Sequence, residues 1–244
     1  MSLSTEPIIQ ESLNDLKFIL AGMDVYNRKH HRAHPAVLIG GWAVFAFNAY
    51  YGSVDIDLVT SSNSKKFIYN MLTKRLNYHK QSSEFGFHSI YRPSPAGRIV
   101  VEFASREEDF WFEGRREKLD FNILNGNCIV REFQDLRATI PNREVLFLMK
   151  LKAAYDRSAR LENGTSPDPP WERGKVEKDR SDIIALVDTN DALNLKLLKE
   201  YLDKFPFLLK TLESVVNEAS ASKYGKPIQY CIEIHKRLLS LLNV

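Results

Sequence analysis

The chain has 244 residues, enough for one large domain or two small ones, and its 44% hydrophobic and 27% charged content is ordinary globular composition. A formal charge of +3 is too weak to argue nucleic-acid binding by itself, and the two cysteines, Cys128 and Cys231, lack metal-ligand spacing, which argues for a reducing compartment and against a disulfide framework. No apolar run approaches the roughly 18 residues of a membrane span and the N-terminus has no signal-peptide layout, so the expectation is a cytoplasmic protein that does not enter the membrane.

Ile9, Leu13, Leu16, Ile19, Leu20 and Met23 recur at spacings of three and four, which predicts a helix over 8–27 with one buried face. The basic cluster Arg28, Lys29, His30, His31, Arg32 and His34 reads as a solvated turn, with a nucleic-acid contact as the alternative. Ala36 to Ile39 forms a short apolar strand stopped by Gly40 and Gly41. Trp42 to Tyr50 is almost uncharged and suits a buried helix ended by Gly52. Residues 54–59 predict a strand in which Asp55 and Asp57 share one face while Val54, Ile56 and Leu58 pack inward. Thr60 to Ser64 supplies turn and N-cap residues for a helix reaching about Leu76.

Phe85 to Tyr91 and Arg98 to Phe103 predict two strands joined by a turn holding Pro93, Pro95 and Gly97. Phe110, Trp111 and Phe112 read as core or interface aromatics, with base stacking as the alternative. Phe121 to Leu124 and Cys128 to Phe133, either side of Asn125-Gly126-Asn127, predict a hairpin or a pair of edge strands. Beyond Pro141 the period becomes helical, with one helix from near Asn142 to about Leu161. Residues 162–177, with Pro167, Pro169, Pro170 and two glycines, predict a loop. From Lys178 onward the pattern is helical, broken near Asn190, at Phe205-Pro206 and at Gly225 to Pro227. The order implies a small α/β (α+β) core over 1–140 and a helical C-terminal domain over 141–244.

A glycine pair after a strand lets a phosphate approach the backbone at a helix start, because no Cβ intervenes. Two neighbouring carboxylates repel each other, and a divalent cation bridging to phosphates removes that cost. Glu102, the one acid within the apolar strand Arg98 to Phe103, is the candidate third ligand; a pair with Arg98, four residues back on the same face, is the alternative. Lys150 and Arg157, seven apart, lie on one helix face and could reach one anion, or Lys150 and Lys152 could be solvated helix residues. Asp179 and Asp182 share a face near a predicted helix start, where acids also favour the dipole.

Gly40-Gly41, then Asp55-Ile56-Asp57 and the later Glu102, resembles the signature of the polymerase-β-like nucleotidyltransferase superfamily. Lys150-Leu151-Lys152-Ala153 with Arg157, and Lys178-Asp179-Arg180-Ser181-Asp182-Ile183, resemble the third and fourth motifs of its AbiEii branch, the toxins of type IV toxin–antitoxin systems. The four motifs occur in the family's order over about residues 38–183. The resemblance implies a nucleotidyltransferase-like mixed sheet flanked by helices, followed by a helical domain. It also implies Mg²⁺ at Asp55 and Asp57, a two-metal site if Glu102 joins them, and a nucleoside triphosphate as substrate. Gly40, Gly41 and Ser53 would belong to the nucleotide site, Lys150 and Arg157 would serve the triphosphate, and Asp179 would act as base or orienting acid. An antitoxin partner is a further implication. The chain departs from the family where Tyr51 replaces a common Arg and Glu102 replaces the usual Asp.

Transfer of a nucleoside monophosphate to an acceptor hydroxyl, on an RNA 3′ end, a protein or a small molecule, is the function these residues suggest. The motifs from the two halves suggest a cleft between two domains. The competing reading is a nucleotide-binding or interaction module that has lost catalysis on the same fold.

Overall fold

The computed structural model describes residues 6–30, 36–81, 88–189 and 193–217, together with 232, 233 and 236. The chain divides into two compact units, one of residues 1–108 and 120–142, the other of 109–119 and 143–244.

In the first unit, α1 (Pro7–His30) buries Ile9, Leu13, Leu16, Ile19 and Met23 of the predicted stripe, leaves Leu20 half-buried at its edge, and extends the stripe to Tyr26. A five-stranded sheet follows, built from β1 (Ala36–Ile39), β2 (Ile56–Thr60), β3 (His79–Gln81), β4 (His88–Ser94) and β5 (Gly97–Ser105), in the order β1-β2-β5-β4-β3. Only β2 and β5 run parallel; the other pairs are antiparallel, so the sheet is mixed. Alternation decides its two faces. Ile56, Leu58, Ile90, Ile99, Val101 and Phe103 are all buried on one face, and α1 is tied to that face because Arg92 of β4 donates from Nε to Asp15 Oδ2 at 3.0 Å.

The helix α2 (Gly40–Phe47) starts at the double glycine rather than at Trp42, and Trp42 Nε1 donates to Ser12 Oγ of α1 at 3.0 Å. The helix α3 (Ser62–Arg75) begins at a capping box in which Ser61 and Ser64 satisfy each other's backbone N–H groups. It lies close against α1, since a Cβ on Gly22 would meet Met71 Sδ at 2.3 Å.

Two expectations for the middle of the chain are corrected. Phe121–Leu124 is a single 3-10 turn, capped by Asp120, and not a strand. The partner of β8 (Cys128–Phe133) is β9 (Leu136–Pro141), joined through Gln134 and Asp135, both with positive φ as a two-residue hairpin turn requires. A short ribbon of β6 (Asp109–Trp111) and β7 (Lys118–Asp120) was not foreseen either.

In the second unit, α4 (Arg143–Glu162) packs on α5 (Pro169–Val187), followed by α6 (Leu195–Leu202) and α7 (Leu208–Asn217). The predicted loop over 162–177 is therefore half helix. Asp168 caps α5 by accepting from Trp171 N at 3.1 Å, and Pro169 and Pro170 occupy the first turn, where a missing N–H costs nothing. Of the predicted breaks, α5 ends at Val187 ahead of Asn190, and the break at Phe205-Pro206 falls between α6 and α7, at 203–207. Residues 31–35 and 82–87, the middle of the Asn190 break, and Gly225 to Pro227 lie outside the described residues. Among the described residues no helix is long and apolar enough to cross a membrane.

Asp168→Ala removes the cap, so thermal denaturation followed by circular dichroism should show a loss of about 1 kcal/mol.

Candidate functional site

The turn from β1 into α2 places Gly40 at φ +67, a left-handed conformation that favours glycine. A Cβ there would lie 1.8 Å from Asp57 Oδ2, so the carboxylate occupies the space that any other residue would fill. Ile39, at the N-cap of α2, provides no side-chain cap for its first N–H groups. Gly41 is buried, as is Ser53.

Register brings the acids of the sheet together. Asp57 is the Cα partner of Ile39 on one side and of Glu102 on the other, so Asp57 and Glu102 stand side by side on the sheet face opposite the α1 packing. Asp57 is half-buried and Glu102 exposed. The strand starts at Ile56, which leaves Asp55 in the bend before it, so the pleat does not set the direction of its side chain. Among the described residues no group of three or more His, Cys, Asp and Glu side chains forms a ready metal cage. The donor set is nevertheless one of hard oxygens, and Mg²⁺ commonly takes one or two protein carboxylates and completes its shell with phosphate oxygens and water. Tyr51 donates its hydroxyl to Glu6 Oε1 at 2.7 Å; burial first and that bond second push its pKa up to about 12.

The helical motifs form a second cluster, within the second unit. Lys150 Nζ lies 2.6 Å from Asp182 Oδ2 and 3.2 Å from Asp179 Oδ1, while Arg157 pairs with Asp179 Oδ2. Lys178 joins from the same helix as Asp182 at 3.2 Å, and burial lowers its pKa while Asp182 opposes the shift. Lys150 is thus buried and doubly paired, which rules out the solvated alternative. Lys152 is fully buried as well, donating to Trp111 O at 2.6 Å and to Asp156, with Phe110 and Phe112 rings 3.6 and 4.8 Å from its ammonium. Burial lowers the Lys152 pKa and raises that of Asp156.

Arg160 and Glu172 belong to the same ladder, with Nε to Oε1 at 2.8 Å. The signal for them lay in spacing: Lys150, Arg157 and Arg160 on α4 are separated by seven and three, and so are Glu172, Asp179 and Asp182 on α5. Two such stripes on antiparallel helices pair end to end.

The sequence matches no family model and no curated protein sequence. The fold is similar to the solution structure of the antibiotic-resistance factor ANT(2″)-Ia, with 13% identity and a TM-score of 0.51 over 83% of this chain and 96% of that one. The crystal structure of ANT(2″)-Ia in complex with adenylyl-2″-tobramycin aligns at 14% identity and TM-score 0.49 over 81% and 99% of the two chains. The chain has a nucleotidyltransferase-like fold.

Gly40→Ala should lower the melting temperature through both the left-handed backbone and the clash, and Asp57→Ala in the same chain should recover part of the loss, because it removes the atom that is struck. Arg160→Leu strands Glu172, which is 1% exposed, and should cost about 3 kcal/mol in urea denaturation; the double Arg160→Leu/Glu172→Leu variant should regain most of it.

Proposed function

We propose that this chain is a metal-dependent nucleotidyltransferase that moves a nucleoside monophosphate from a nucleoside triphosphate to an acceptor hydroxyl. The observation that carries the proposal is the close approach of the Gly40 backbone to Asp57, itself in register with Glu102. The likeness to the fold of ANT(2″)-Ia supports it at the level of the fold.

Asp55 and Asp57 would hold Mg²⁺, which when bound neutralises phosphate charge and favours an attacking oxygen over its protonated form. The N–H groups at the start of α2, left without a side-chain cap by Ile39, would receive a phosphate oxygen. Glu102 would sit beside the ion and orient the acceptor hydroxyl. The assignment of Lys150 and Arg157 to triphosphate comes from the family resemblance. Both are engaged by Asp179, which favours an orienting role for that acid over a role as proton acceptor. The narrower reading as an AbiEii-type toxin with an antitoxin partner rests on the same helical motifs and would be tested by growth arrest on expression.

The test is incubation with Mg²⁺ and each α-labelled triphosphate in turn, with RNA, protein and aminoglycoside acceptors offered separately. Label transfer with pyrophosphate release is expected, reduced about 100-fold or more in Asp55→Ala/Asp57→Ala. Absence of product with every triphosphate overturns the proposal, and triphosphate binding without turnover supports the non-catalytic module instead.

A further inference from the structure

Opposite the face that packs on α1, the sheet carries a row of side chains that extends away from the carboxylates. Ser89 is the partner of Glu102, Tyr91 of Val100, and His79 of Tyr91, so Asp57, Glu102, Tyr91 and His79 all belong to one face, as does Arg98, two residues before Val100. On this face Glu102, Arg98 and His79 are exposed and Tyr91 is half-buried, in contrast to the buried apolar row behind them. The Arg98 guanidinium carbon lies 4.3 Å from the centre of the Tyr91 ring, and the His79 ring centre 5.7 Å from it. One strand across and two residues along separate Tyr91 from Glu102 by about 8 Å, the span of roughly one nucleoside.

We propose that Tyr91, Arg98 and His79 form the acceptor platform, on which the last base of a single-stranded RNA stacks so that its terminal hydroxyl points toward Asp57 and Glu102. This rests on the proposed function and names its acceptor. A stacked phenol, guanidinium and imidazole match the π-face of a base, and the guanidinium also attracts the adjoining phosphate. A polycationic amino sugar meets a cation here instead. The small net charge of the chain fits recognition of an end rather than of a long stretch of RNA.

Two readouts on the full chain test this without turnover. A fluorescein-labelled single-stranded oligoribonucleotide ending in iodouridine is followed by anisotropy and then photocrosslinked. Tyr91→Ala and Arg98→Ala should each weaken binding about 10-fold, Tyr91→Phe should keep it, and the crosslink should map to Tyr91. Arg98 is exposed, so its variant reports on binding even if Tyr91→Ala folds poorly, and melting curves verify both. Unchanged affinity in Arg98→Ala, a crosslink elsewhere, no RNA binding by the parent chain, or Tyr91-dependent binding of an aminoglycoside in place of RNA each overturns the proposal. Pyrophosphate release with a non-RNA acceptor would leave the proposed function standing while this platform fails.

Discussion

The close approach of Asp57 to the Gly40 backbone constrains the whole first unit. For a carboxylate to occupy the space of a Cβ, β1 must end at Ile39, α2 must begin in a left-handed turn, and β2 must be held in register with both β1 and β5. A shift of one residue in β2 would turn Asp57 into the apolar layer and Ile56 out of it. The buried Ile56, Leu58, Val101 and Phe103 therefore fix where the carboxylates stand as firmly as any contact made by the carboxylates themselves.

The second unit meets its own constraint differently. It buries charges, and each must find a partner because a lone ion in that environment is costly. Antiparallel packing of α4 and α5 answers the need, pairing Lys150, Arg157 and Arg160 with Asp182, Asp179 and Glu172. Lys152 points elsewhere on α4 and anchors the ribbon segment 109–119 through Trp111, which explains why those residues belong to the helical unit despite their place in the sequence.

Much of this was legible from periodicity and punctuation. The α1 stripe, the strand at Ala36–Ile39 and the capped start of α3 lie where the spacing of apolar residues and the turn formers put them, and β4 and β5 pair as expected, although their turn shrinks to Pro95 and Ala96 and Pro93 and Gly97 join the strands. The failures have physical causes. Prolines at 169 and 170 signal a loop unless an N-cap precedes them, and Asp168 is that cap. A start at Lys178, nine residues late, leaves Glu172 in a loop and deprives the acidic stripe of its first member. The β8–β9 turn uses Gln134 and Asp135 where Asn-Gly would have announced it, and the Asn-Gly-Asn stretch that drew attention follows a 3-10 turn. Periodicity also predicted a strand through Asp55, yet the pleat begins one residue later. Spacing alone cannot locate a strand end that tertiary pairing decides.

The sheet's two faces connect these points. Alternation along β5 that sends Ile99, Val101 and Phe103 into the core necessarily sends Arg98, Val100 and Glu102 to the other side, and pairing carries that choice to Asp57, Ser89, Tyr91 and His79. A carboxylate pair therefore cannot appear alone on such a sheet: hydrophobic burial on one side commits a whole row of residues on the other. Beyond the carboxylates Val37, Val59 and Ala104 keep that face buried, whereas along Arg98, Tyr91 and His79 polar and aromatic residues take the place of a second apolar layer and leave the sheet open.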